Sequence, residues 1–311
     1  MSGAVDTKLA SEPVSRAAPA AKSVNDAFRA DVIAIRRHIQ RRFAETPLER
    51  LPFPHLTISD FFPEAVYEKI LAYNLFRKNR GVDWKVRSEI NTLRTPTPYD
   101  HRKQINFHTG EKHLASREEQ VFWRTISYVF LGDDWFLKLV QRAYPAYFDI
   151  RFGEAMLWPG FWRKMRRELF LQRHEVGYHI GPHTDVPARV FTCIFSFADR
   201  PGFEEYGTQI IRHKDPSVRC SGRQHYGFED FQLVKTAPYA PNNFFLFFKT
   251  RQSFHAVKTI EADVPNERYG MQFQCYEPGV GLFNDLSHPD LLAPKLIREE
   301  FLGRPPAKPA S

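Results

Sequence analysis

Between about Leu157 and Glu277 the chain breaks into short apolar runs separated by Gly, Pro, Asn and Asp, and this texture limits the fold more than any other feature. The runs cover Glu168 to Arg173, Arg189 to Phe197, Thr208 to Arg212, Phe231 to Lys235, Asn243 to Phe248, Ser253 to Ile260 and Tyr269 to Tyr276. Segments this short, punctuated this regularly, are what an antiparallel sandwich or barrel requires. Clustered phenylalanines such as Phe244, Phe245, Phe247 and Phe248 imply strands buried on both faces.

The flanking sequence has a different character. Residues 1–22 are rich in Ala, Ser and Pro without periodicity, and 303–311 repeat that composition, so both read as disordered tails. Phe28, Val32, Ile35, Ile39 and Phe43 recur at spacings of three and four, predicting an amphipathic helix over Ser23 to Phe43. A short strand is expected from Phe53, then a helix entered at Pro63 and running to about Phe76. A second helical stretch covers roughly Arg117 to Ala143. Residues 80–116 read as loops with short strands, and Pro289 to Phe301 as a last helix. The division expected is a tail (1–22), a helical region with short strands (23–155), the chemical core (156–285), a C-terminal helix (286–302) and a tail (303–311).

With 311 residues, 42% of them hydrophobic and 14% aromatic, the chain can bury a sizeable core. Its charge is 44 basic minus 36 acidic, or +8, which favours anionic ligands and falls short of a nucleic-acid signature. The basic clusters at Arg36, Arg37, Arg41 and Arg42, at Arg77, Lys78 and Arg80, and at Arg163, Lys164, Arg166 and Arg167 read as solvated faces. Cys193, Cys220 and Cys275 form no close pair, so neither a disulfide framework nor a thiolate zinc site is written here, which fits a reducing compartment. Without a signal peptide or an apolar stretch of about 18 residues, a cytoplasmic protein with no membrane partner is expected.

His183-Thr184-Asp185 places an imidazole and a carboxylate two apart, and on extended backbone such residues project to one side. His255 follows Asp185 by 70 residues, just after the buried run Asn243 to Phe248, where a barrel could return it to the same place. Two histidines and one carboxylate on one face of an ion leave positions open, the arrangement that non-haem iron(II) oxygenases use. Arg268, 13 residues beyond His255 and at the base of the last strand, is a bidentate partner for a carboxylate.

These residues together resemble the iron(II)/2-oxoglutarate oxygenases, in particular their prolyl-hydroxylase-like branch. The match runs from Gln172 to Glu277, about a third of the chain. It consists of Gly177 ahead of Pro182-His183-Thr184-Asp185, Thr192-Cys193-Ile194-Phe195, Pro241-Asn-Asn-Phe-Phe-Leu-Phe-Phe, Ser253-Phe254-His255-Ala256-Val257, and Arg268. Pro54 to Phe62 is similar to the branch's entry into the domain. The resemblance implies an α+β fold with a mostly β core, a double-stranded β-helix (jelly roll) with N-terminal helices packed on it. It implies Fe(II) held by His183, Asp185 and His255, the C5 carboxylate of 2-oxoglutarate on Arg268, O2 as oxidant and ascorbate as reductant. The expected reaction hydroxylates a C–H bond and releases succinate and CO2. Asp185 argues against halogen transfer, because relatives that transfer halogen usually lack that carboxylate.

The chain departs from the family at three places. His174 stands where a tyrosine is common, Tyr206-Gly207-Thr208 replaces a Gly-Gly pair, and Gly270 replaces a serine two after the arginine. Thr192 and Ser196, on one strand face, are expected to supply pocket hydroxyls instead. Arg94, Arg102, Arg212, Arg223 and His179 are candidates to meet a substrate, expected to be a small molecule or amino-acid-like group and possibly anionic. His213 and His225 are read as ordinary side chains of a long loop. Two other functions compete. A nucleic-acid demethylase of the same superfamily would suit the charge, but such relatives usually carry a second arginine where this chain has Gln274. A non-catalytic cupin-like barrel would leave Arg268 without a task.

Overall fold

The computed structural model describes residues 24–78, 101–106, 116–157, 159–220, 222, 224–261 and 267–278. Arg94, Arg223, both tails and the expected C-terminal helix lie outside the described residues.

Two antiparallel sheets carry the fold. The strands are β1 (His55–Ile58), β2 (Arg102–Asn106), β3 (Met165–Glu175), β4 (Ile180–His183), β5 (Arg189–Ser196), β6 (Thr208–His213), β7 (Phe231–Ala237), β8 (Asn243–Phe248), β9 (His255–Val257) and β10 (Glu267–Pro278). The larger sheet runs β1-β8-β5-β10-β3-β2 and the smaller β4-β9-β6-β7. From β3 onward the chain steps back and forth between them, which is the jelly-roll topology; the two sheets remain open and do not close into one barrel. The seven expected runs are β3, β5, β6, β7, β8, β9 and β10 with ends moved by a few residues, β1 falls within the strand expected from Phe53, and β4 was not among the expected runs.

Side-chain alternation gives the larger sheet two different faces. On β10, Tyr269, Met271, Phe273 and Cys275 point to the helices and join the main core, while Arg268, Gln272 and Gln274 point to the interior. On β8 all six residues are buried, Phe244, Leu246 and Phe248 against the helices and Phe245 and Phe247 inward.

The helices are α1 (Val24–Glu45), α2 (Glu64–Ala72), α3 (Leu75–Lys78), α4 (Arg117–Leu131), α5 (Trp135–Ala143), α6 (Pro145–Phe152) and α7 (Phe161–Lys164). The predicted stripe of α1 is buried at Val32, Ile35, Ile39 and Phe43. The single helical stretch expected over Arg117 to Ala143 is two helices. Gly132, Asp133 and Asp134 interrupt it, where glycine and aspartate favour other conformations and Asp133 accepts from the Trp135 backbone N–H at 2.9 Å. The N-terminal region also lends strands to the larger sheet: β1 and β2 form its two edges, β1 on β8 and β2 on β3.

Candidate metal centre

β4 and β9 lie antiparallel with His183 opposite His255, so register delivers two imidazoles to one spot. Asp185 follows β4 by two residues. Potential ligand atoms of the three side chains lie within 4.8 Å of one another. Each histidine has its Nδ1 against a carbonyl, His183 on Gly181 at 2.9 Å and His255 on Ser253 at 3.0 Å. Since a carbonyl only accepts, each Nδ1 carries the proton and each Nε2 presents its lone pair. Burial keeps both rings neutral, holding His183 well below the usual histidine range and lowering His255 too.

Burial alone would raise the Asp185 carboxyl. The Arg189 guanidinium at 3.6 Å and a 2.5 Å hydrogen bond from the Thr192 hydroxyl overcome it and hold the carboxyl well below its ordinary range. Arg189 also donates to Thr192 at 3.0 Å and to the Tyr276 hydroxyl at 2.8 Å, fixing the group that fixes the carboxylate. Between His183 and Asp185, Thr184 turns away. Its hydroxyl donates to the Cys220 carbonyl and accepts from Lys249 Nζ at 2.7 Å. Burial pushes the Lys249 ammonium down to about 7. Gly222 backs onto the same turn with φ +95°, and a Cβ there would fall 1.9 Å from the Asp185 carbonyl oxygen, so only glycine fits.

A cavity of about 180 Å³ is lined at one part by His183, Asp185 and His255. Arg102, His174, Tyr178 and Arg268 also line it, together with Gln272 and Gln274. Arg268 is 7% exposed, donates to the Tyr206 carbonyl and has its guanidinium carbon 5.5 Å from the Tyr239 ring centroid. Burial lowers its pKa, and among the described residues it makes no ion pair with a carboxylate.

Other expected site residues fall elsewhere. Thr192 and Ser196 do share a face but do not line the cavity: Thr192 is engaged by Asp185, and Ser196 donates to the Pro238 carbonyl at 3.4 Å. Thr208 of β6 lines it, as do Thr184 and Tyr178. Arg212 is exposed and donates to Gln232, away from the cavity. His179 shares parity with His183 in sequence, but an irregularity between Ile180 and His183 breaks that parity; its ring sits against the Gly177 carbonyl and Ile180 takes the cavity wall. Arg102 does face the cavity.

Sequence reasoning passed over Arg189, Lys249 and His225 as site residues. His225 forms a β-bridge with His183 and stacks on its ring at 4.9 Å. The long separation between β4 and the loop after β6 left no local signal for that contact.

No protein-family model matches the chain, and no curated protein matches it. Among solved structures, a non-heme alpha ketoglutarate dependent epimerase, SnoN from nogalamycin biosynthesis, is 12% identical, covering 84% of this chain and 92% of its own at a TM-score of 0.38. A Pseudomonas putida prolyl-4-hydroxylase is 12% identical over 78% of this chain and 99% of its own, TM-score 0.38. HygX from Streptomyces hygroscopicus, with nickel, 2-oxoglutarate and hygromycin B bound, is 13% identical over 72% and 82%, TM-score 0.36. At such TM-scores these likenesses carry no argument, and the chemistry rests on the side chains of the site.

Proposed function

We propose that the chain is an iron(II)/2-oxoglutarate-dependent dioxygenase that hydroxylates an unactivated C–H bond of a small molecule, amino acid or peptidyl residue. The observation that carries this reading is a single cavity with two neutral imidazoles and an ionised carboxylate at one part and a buried guanidinium, unpaired with any carboxylate among the described residues, at another. The donor set fits iron(II) with positions left open, and Arg268 fits the far carboxylate of a 2-oxo diacid.

His183, Asp185 and His255 would hold the metal, which when bound supplies Lewis acidity and the open positions needed to activate dioxygen beside a 2-oxo acid. The protein's own part is positioning. Gly181 and Ser253 carbonyls orient the imidazoles, Thr192 and Arg189 keep Asp185 ionised, and Arg268 orients the cosubstrate. Ascorbate would serve as reductant. Gln272 and Gln274, on the interior face and lining the cavity, offer neutral hydrogen-bonding groups to a substrate.

Anaerobic titration tests the reading without requiring the substrate. Wild type is expected to bind one iron(II) per chain and then 2-oxoglutarate; Asp185→Ala should lose the metal while keeping the far-ultraviolet spectrum of the fold. Iron binding unaffected by Asp185→Ala would remove the metal assignment.

A further inference from the structure

A second cavity shares no lining residue with the one at the metal centre. It is a groove of about 960 Å³ between the end of α1, the segment 46–50 and the junction of α5 with α6. Leu48, Leu139, Ala143 and Pro145 line it, and Arg50 and Arg142 stand on its wall. A space of this size could take a small molecule, but such sites carry convergent polar groups that fix the ligand's orientation. Here the Thr46 hydroxyl is taken by the Arg42 carbonyl at 2.9 Å, and most of the wall is apolar. An open apolar groove of this kind is suited to a run of apolar side chains from another stretch of polypeptide.

The chain supplies such a run and leads it toward the groove. Pro145 and Tyr147 at the start of α6 line the groove, and Arg151, about 9 Å along the helix axis from Pro145, holds Glu277 at 2.5 Å. Arg151 also donates to the Tyr147 hydroxyl at 2.9 Å. Glu277 is the last residue but one of β10, so the polypeptide passes from α6 into residues 279–311. From Pro278 to Pro289 the backbone can reach up to about 36 Å when extended, well beyond that separation. Past that point Leu292, Leu296, Ile297 and Phe301 recur at the spacings of one helix face, with Glu300 at its margin. An acidic margin beside an apolar stripe matches an apolar groove bordered by arginines.

We propose that residues 289–301 dock in this groove of the same chain, their apolar stripe against Leu48, Leu139 and Ala143 and Glu300 toward Arg142. The docking is independent of the oxygenase reading.

Hydrogen–deuterium exchange of the full chain, read by mass spectrometry beside a synthetic peptide of residues 286–302, tests it. Amides of 291–301 should exchange about tenfold slower or more in the protein than in the free peptide. Ala44→Glu and Ala143→Glu each put a carboxylate into the groove from an exposed helical position. In both variants β8 and β10 should keep their protection while 291–301 lose theirs. Arg142→Glu and Glu300→Arg should each reduce the protection, and the two together should restore part of it. Exchange at the peptide rate in wild type overturns the proposal. So does protection that survives both alanine substitutions, which would seat the segment elsewhere, or a charge exchange that restores nothing. Protection that fades on dilution as the mass halves would give the groove to the segment of a second copy and overturn it as well. None of these outcomes bears on iron or 2-oxoglutarate binding, so the oxygenase reading stands or falls separately.

Discussion

The meeting of His183, Asp185 and His255 could be expected from residue types and spacing, because His183 and Asp185 stand two apart on extended chain and His255 stands just past a fully buried strand. The residues that prepare them could not. Thr192 has the right face for a pocket hydroxyl, but the sequence does not say that the Asp185 carboxylate arrives within 2.5 Å of it. Thr192→Val is expected to leave the fold intact and weaken iron(II) binding by roughly 10- to 100-fold, read by competition with a chelator; unchanged affinity would show that Arg189 suffices. Lys249 likewise looks like a strand-end lysine in sequence and is a buried support of the ligand turn. Its folded value near 7 lies below the ordinary 10.5, so between those values the unfolded chain binds a proton that the folded chain does not. Stability from this site therefore rises with pH across that window. In metal-free protein, thermal melts should show wild type gaining on Lys249→Met from about pH 7 upward; parallel profiles would contradict the assignment. Gly270, which departs from the family's serine, has a physical reason: a Cβ there would meet the Phe195 carbonyl oxygen at 2.5 Å.

At the level of elements, periodicity located the strands well because each run is short and bounded by turn formers. It missed what depends on pairing, such as the irregularity that turns His179 out of the cavity and the recruitment of β1 and β2 as sheet edges. It also missed the anchor that ties α6 to the ligand loop. Arg151 and Glu277, both almost fully buried, meet at 2.5 Å, and Arg151 also donates to the Pro187 carbonyl two residues beyond Asp185. Glu277→Leu or Arg151→Met alone should destabilise by about 3–5 kcal/mol, since each strands a buried partner, whereas Arg151→Met with Glu277→Leu should cost clearly less than the sum. Chemical denaturation of the four proteins completes the cycle, and strict additivity would refute the coupling.

Across the whole molecule, one sheet separates two environments. Its outer face joins a phenylalanine-rich core with the helices, and its inner face exchanges apolar side chains on β8 for glutamines, arginines and histidine on β10, β3 and β2. That inversion is the strongest sign that the interior serves ligands, because an idle core would be filled with hydrocarbon. The positive balance of +8 agrees with anionic ligands, and part of it is placed inside, at Arg102 and Arg268. No helix among the described residues is long and apolar enough to cross a membrane. The most direct test is succinate formation from 2-oxoglutarate on admitting air to iron(II)-loaded protein with ascorbate, beside Asp185→Ala and Arg268→Ala. The account predicts succinate from wild type, none above background from Asp185→Ala, and a strongly raised 2-oxoglutarate requirement in Arg268→Ala. Succinate made equally well without Asp185, or wild type making no more than the Asp185→Ala control, would contradict it.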